Sequence, residues 1–224
     1  MRHVRTLILA SALTLLAAVF PAVCPAQAEV RLLAFGDSLV YGSGLTPPEG
    51  FVPQLEAWLH ANGATDVVVL NAGIPGETTA EGLARIGQTL EETRPDAVLV
   101  ALGANDLLRG LSTARMFSNL DGILHTVSTE DLPALLAGLP APPTWRRDDR
   151  ATYRETFRTL AEEHDAIFVP TFFSGMSGQG IAGVRRMMQP DGIHPNAEGV
   201  QANVAAIGPS VLALVDRARD RGAK

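Results

Sequence analysis

The sequence predicts an α/β fold in which a five-stranded parallel sheet is covered by helices on both faces. Five short apolar runs alternate with stretches in which apolar residues recur at spacings of three and four. The runs read as strands buried on both sides, the habit of parallel sheets packed between helices. With 46% hydrophobic residues in 224, the chain can also bury one sizeable core, and its length favours one domain over two.

The first 28 residues read as a leader rather than as part of that fold. Arg2 and Arg5 give a positive start, Leu7 to Phe20 is almost wholly apolar, and Ala26-Gln27-Ala28 is a small-x-small cleavage site. Residues 1–28 are therefore expected to be a secretory signal peptide, residues 29–224 the folded domain, and the protein periplasmic or secreted. An uncleaved membrane anchor is the alternative, but the apolar run is short for a span and stops at Pro21. A lipoprotein built on Cys24 is another, and the bulky Val23 before it argues against that. No stable membrane span is expected once the leader is removed.

Five strand–helix units follow in order. Val30 to Phe35 pairs with a helix over Phe51 to Ala61, Val67 to Leu70 with Thr79 to Thr93, and Ala97 to Leu102 with Thr113 to Val127. Leu132 to Gly138 then precedes Asp149 to His164, and Ala166 to Val169 precedes Ala197 to Arg217. Pro140 to Pro143 reads as a stiff loop after the fourth strand. Gly178-Gln179-Gly180-Ile181-Ala182-Gly183 matches a dinucleotide-binding pattern by letters, yet it follows no strand-to-helix turn of the first unit and reads as a flexible loop.

Composition excludes several chemistries. The net charge of −6 becomes −8 once Arg2 and Arg5 leave with the expected leader, because no acid leaves with them. So acidic a protein has little electrostatic reason to bind nucleic acid. The single cysteine also leaves, removing disulfides, a thiol nucleophile and thiolate metal ligands from the mature chain. The one lysine, Lys224, is terminal, so a Ser-Lys mechanism has no candidate. No His/Asp/Glu cluster has metal-ligand spacing, and neither a cofactor nor a metal is expected.

In an open parallel sheet, ligands bind beyond the carboxyl ends of the strands. Ser38 follows the first strand there, Gly73 and Gly76 the second and Asn105 the third. Ser38 suits either a nucleophile in a sharp strand exit after Gly36 or a helix N-cap. Gly76, in Asn71-Ala72-Gly73-Ile74-Pro75-Gly76, could bring its N–H close to a ligand or sit in a plain connecting turn. Asn105 is a neutral donor suited to an oxyanion, or a local Asx-turn residue. Of the five histidines, His60, His125 and His164 fall near the ends of helices, where solvated or dipole-facing roles suffice. His194 stands in a Gly- and Pro-bounded loop three residues after Asp191, close enough for the carboxylate to fix its tautomer.

Gly36-Asp37-Ser38-Leu39, Ile74-Pro75-Gly76, Gly103-Ala104-Asn105-Asp106 and Asp191-Gly192-Ile193-His194 together resemble the four sequence blocks of the GDSL, or SGNH, hydrolases. Arg109-Gly110, Thr171-Phe172-Phe173 and Met188-Gln189-Pro190 make the chain similar to the bacterial arylesterase, lysophospholipase and acyl-CoA thioesterase branch. The resemblance implies a three-layer α/β/α sandwich of flavodoxin-like type, with Ser38 as nucleophile, His194 as base and Asp191 as its partner. It also implies an oxyanion hole from the Ser38 and Gly76 N–H groups and the Asn105 side chain. The expected substrates are water and a small acyl ester or thioester, with lysophospholipids and aryl esters favoured for an exported enzyme. Departures at Ala104, at Leu107 and over Pro143-Thr144-Trp145-Arg146 carry the reaction over without a chain-length preference. No Gly-x-Ser-x-Gly elbow occurs, which argues against the α/β-hydrolase fold. A carbohydrate O-acetylesterase of the same superfamily and a non-catalytic exported binding protein are the alternatives.

Overall fold

The computed structural model describes residues 29–142 and 144–222, so the expected leader with Cys24, and also Pro143 and Lys224, lie outside the described residues. β1 (Val30–Gly36) runs into a single helical turn, α1 (Ser38–Tyr41), and α2 (Phe51–Ala61) leads back to β2 (Val67–Gly73). α3 (Thr79–Thr93), β3 (Ala97–Ala101), the short α4 (Ala104–Leu108) and α5 (Thr113–Thr129) follow. β4 (Ala134–Ala137), α6 (Arg147–Glu163), β5 (Ile167–Val169), α7 (Gly180–Arg186) and α8 (Ala197–Gly222) complete the order.

All strand pairings are parallel and the sheet order is β2-β1-β3-β4-β5. The winding therefore reverses between β1 and β3, which opens a crevice at their carboxyl ends. α8 lies across β1, β3, β4 and β5 beside α2, while α3, α5 and α6 pack side by side on the opposite face. Three layers result. β3 and β4 are buried at every position, the expected state for strands between two helical layers.

The helices form where the apolar stripe and the caps agree. Met116, Leu120, Ile123, Leu124 and Val127 make the buried stripe of α5 at spacings of three and four. At the start of α3, Thr78 and Glu81 cap each other's backbone N–H groups. Among the described residues α8 is the one helix long and apolar enough to cross a membrane, yet Val200, Val204, Ile207, Val211, Leu214 and Val215 pack into the common core. It is a core helix.

Four expectations need correction. The stretch 178–183 is not a loop throughout: Gly180 opens α7, where Ala182 is a good helix former and Arg185 and Arg186 sit in the last turn beside the negative helix end. β4 begins at Ala134 rather than Leu132, because Asp131 has φ +55° and Pro133 has no N–H for a ladder. β2 continues past Leu70 to Gly73, since Asn71, Ala72 and Gly73 remain in register with Ala34, Phe35 and Gly36. His60 and His164 are tied rather than merely solvated. His60 Nε2 donates to the Val67 carbonyl at 2.8 Å, and His164 Nε2 lies 2.7 Å from Asp121 Oδ1.

Candidate active site

The site is assembled at the carboxyl edge of β1, β2 and β3. Gly36 closes β1 because nothing larger fits: a Cβ there would stand 2.3 Å from the Ala101 carbonyl oxygen and 2.6 Å from Val40 Cγ2. Asp37 follows as the N-cap of α1, its Oδ1 accepting from Leu39 N at 3.0 Å. The chain thus turns sharply at Ser38 and leaves its hydroxyl at the lip of the crevice.

His194 reaches the serine from a loop 156 residues further along, with Nε2 2.8 Å from Ser38 Oγ. On the other side of the ring, Nδ1 lies 2.6 Å from Asp191 Oδ2. Asp191 Oδ1 accepts from the backbone N–H groups of Ile193 at 2.9 Å and His194 at 3.1 Å. These bonds, led by the one to the imidazole, hold the Asp191 carboxyl down at about 2. An ionised carboxylate can only accept, so Nδ1 carries the proton and Nε2 presents a lone pair to the serine hydroxyl. The Asp191 side chain keeps 42% of its surface in water, so its charge is held by hydrogen bonds and not by burial.

Gln189 stitches this loop to the serine segment. Its amide donates to the Ser43 carbonyl at 2.8 Å and to the Pro195 carbonyl at 2.9 Å, while its backbone N–H donates to the His194 carbonyl at 2.8 Å. Asn196 then caps α8 by accepting from Gly199 N at 3.0 Å.

Gly76 and Asn105 line the same cavity as Ser38 and His194. Gly76 has φ +82°, and Glu77 N donates to the Ile74 carbonyl at 3.2 Å, so Ile74-Pro75-Gly76-Glu77 is a type II turn with proline and glycine in their preferred places. Asn105 Nδ2 donates to the Glu77 carbonyl at 3.0 Å and to Asp37 Oδ2 at 3.3 Å. Asp37 is fully buried, and burial, ahead of the nearby Glu77 and Asp106 charges, pushes its carboxyl up to about 6.

Sequence reasoning gave no role to the buried polar frame beneath these groups. Arg85 makes a two-pronged ion pair with Glu77 at 2.5 Å, donates to the Ala72 carbonyl at 2.9 Å and stacks 3.9 Å over the Phe35 ring. Asp106 accepts from Thr79 N at 2.9 Å and from its hydroxyl at 2.7 Å. The Asn105-Asp106 pair after a strand is a signal for the second of these, because buried carboxylates need donors. Arg85 carries none, since Glu77 stands eight residues before it across the turn into α3, and its other partners are a carbonyl and a ring brought in by other strands.

The crevice is a cavity of about 790 Å³. Beyond the polar groups its walls are apolar: Leu107 and Leu108 on one side, Leu139, Pro140, Pro142 and Phe173 on the other. Of the departures from the family pattern, Ala104 and Leu107 face this space.

A hydroxyl–imidazole–carboxylate chain at the carboxyl edge of a doubly wound sheet, opening on an apolar cavity, has the form of a serine hydrolase site. Comparison with known proteins gives the family: the chain belongs to the GDSL-like lipase/acylhydrolase family, whose model matches residues 34–202. Over 168 residues it is 36% identical to esterase TesA of Pseudomonas aeruginosa, covering 75% of this chain and 81% of that one. It is 32% identical over 173 residues to thioesterase 1/protease 1/lysophospholipase L1 of Escherichia coli K12, covering 77% and 79%. Among solved structures it resembles AlinE4, an SGNH-hydrolase family esterase, with a TM-score of 0.67 at 37% identity over 83% of this chain and 96% of that one. The protein is an ester-hydrolysing enzyme, which takes a small-molecule ester and water and disposes of the binding-protein alternative.

Proposed function

We propose that this enzyme is an exported serine esterase that works through an acyl intermediate on Ser38 and takes esters and thioesters with apolar acyl chains, among them lysophospholipids and aryl esters. The observation that carries the mechanism is the continuous line from Ser38 Oγ through His194, at 2.8 Å, to Asp191, at 2.6 Å.

In the first half-reaction Ser38 Oγ attacks the ester carbonyl carbon while His194 Nε2 takes the hydroxyl proton. The carbonyl π electrons move to oxygen, and Asp191 balances the imidazolium that forms. Collapse of this tetrahedral anion breaks the bond to the leaving alkoxide, phenoxide or thiolate, which takes the proton from Nε2. Water then repeats the sequence on the acyl-enzyme and frees the carboxylic acid and Ser38. The backbone N–H groups of Ser38 and Gly76 and the amide of Asn105 receive the anion in both halves. Both amide hydrogens of Asn105 are engaged in the resting protein, and the longer bond, 3.3 Å to Asp37, is the one an oxyanion would take over.

The cavity supports the substrate class. Leucine and proline side chains make most of its walls, and among the described residues Phe173 is the one phenyl ring there, which suits an aliphatic acyl chain better than a sugar ring stacked on aromatics. Export rests on the leader at residues 1–28, with residues 29–224 as the hydrolase domain.

A fluorophosphonate probe should label the wild type and leave Ser38→Ala unlabelled, and a p-nitrophenyl ester series should be cleaved faster than acetylated sugars. Equal labelling of Ser38→Ala would end the assignment of the nucleophile. Recovery of full-length, unprocessed protein from the cytoplasm of the native host would end the export assignment.

A further inference from the structure

Arg109 is exposed, and the described residues offer it no ion pair in a chain with 24 Asp and Glu. Its guanidinium instead donates through Nη2 to the Gly76 carbonyl at 2.6 Å. An arginine that merely solvates a surface has no reason to fix itself on one backbone oxygen, and the position of that oxygen gives the bond its meaning.

Gly76 is the third residue of the type II turn. Types I and II differ by a near half-rotation of the peptide between the second and third residues, here Pro75–Gly76, with little change in the ends of the turn. That peptide carries the Gly76 N–H, so the rotation decides whether the N–H points toward the serine or away from it. Gly76, at φ +82°, stands in the conformation that type II requires and that type I would exchange for negative φ.

The segment that begins at Asn105 grips this turn twice. Asn105 donates to the Glu77 carbonyl at 3.0 Å and Arg109 to the Gly76 carbonyl at 2.6 Å, so residues one helical turn apart hold two successive carbonyls. Arg109 N in turn donates to the Asn105 carbonyl at 3.0 Å, which makes the two grips one unit. One residue after Asn105, Asp106 anchors Thr79 at the start of α3.

The carbonyl that Arg109 grips belongs to the next peptide, Gly76–Glu77, so the bond fixes where the turn stands rather than its type. We propose, on the reading of Gly76 as an oxyanion donor, that Arg109 is a positioning residue that, with Asn105, pins the Ile74–Glu77 turn by its Gly76 and Glu77 carbonyls and so sets where the Gly76 N–H stands relative to Ser38. It touches no reacting atom. Its action passes through the placement of the turn that carries the Gly76 N–H, so its removal lowers the rate of acyl transfer and leaves substrate binding in the apolar cavity alone.

The test compares Arg109→Met, which keeps the stem, with Arg109→Lys, which keeps a cationic donor, using a p-nitrophenyl ester. Arg109→Met should lower kcat roughly ten-fold, the scale of one hydrogen bond from a charged donor, with KM within about two-fold of wild type. Arg109→Lys should recover a large part of that loss, and the urea midpoint of both variants should match the wild type. Combined with Gly76→Ala, which itself disfavours the type II turn, Arg109→Met should add little further loss. An unchanged kcat, or a change confined to KM, would overturn the proposal. Asn105→Ala measured in parallel separates the two levels. A large kcat loss there with none in Arg109→Met sinks only the role of Arg109, whereas no loss in either sinks the oxyanion hole and the proposal with it.

Discussion

Asp37→Asn should make the enzyme more stable at neutral pH relative to wild type than it is in mild acid. The Asp37 carboxyl is fully buried and rises from its ordinary 3.8 to about 6 in the folded protein. Between those values the native state keeps a proton that the unfolded chain has released, so stability falls as pH rises through this window. At about 1.4 kcal/mol per pH unit the whole loss is about 3 kcal/mol, of which about 2 kcal/mol falls between pH 4.5 and 7.5. Asparagine does not titrate, but it has one acceptor oxygen where the carboxylate uses two, for Leu39 N and for Asn105 Nδ2. Losing one of these costs about 1 kcal/mol at every pH. The variant should therefore gain about 2 kcal/mol on the wild type between pH 4.5 and 7.5, equivalent to about 4–8 °C in Tm for a domain of this size. Urea unfolding followed by circular dichroism at both pH values measures the difference directly. Parallel stability curves for the two proteins would refute the assignment of a costly buried charge to Asp37.

Asn105→Ala should lower kcat by about 10² to 10³ with the fold intact, the usual loss for one oxyanion donor, in steady-state kinetics on a p-nitrophenyl ester. Asp191→Asn should cost on the order of 10⁴ in kcat, because the asparagine amide favours the wrong imidazole tautomer; a loss below ten-fold would remove Asp191 from the proposed mechanism. Because the Asp191 carboxyl sits at about 2, no acid limb of the wild-type kcat/KM profile between pH 4 and 8 should belong to it. Arg85→Met strands Glu77, whose side chain is 4% exposed, and should destabilise by about 3–5 kcal/mol in urea, with Glu77→Gln added to Arg85→Met recovering part of that. Gly36→Ala forces a methyl against the Ala101 carbonyl and Val40 and should cost about 2–3 kcal/mol, read as a lowered urea midpoint with an unchanged m-value.

What the sequence made legible followed the length scale of each signal. β3 is an unbroken run of five apolar residues and β1 is apolar at five of its seven positions, and α3 and α5 carry four or five turns of periodic burial, so their existence and nearly their ends can be read directly. α1 and α4 have four and five residues, too few for any period to repeat, and neither is visible before the fold is known. α7 was hidden by glycines that mimic a binding motif. Ser38, Asn105, Asp191 and His194 announce themselves because their chemistry is scarce in the loops where they stand. Arg109 does not, because what it holds is a backbone carbonyl, and a carbonyl has no letter in the sequence.

The division of labour among the loops has an evolutionary consequence. The reacting groups hang from the ends of β1, β2 and β3 and from the segment before α8, while the far wall, Leu139, Pro140, Pro142 and Phe173, hangs from the ends of β4 and β5. On the proposed reading of the site, mutations that remodel the wall at the ends of β4 and β5 can therefore accumulate without disturbing the groups at the ends of β1, β2 and β3. Such a scaffold can drift from one ester to another through changes in two adjacent connections, while its hydrolytic chemistry stays constant throughout.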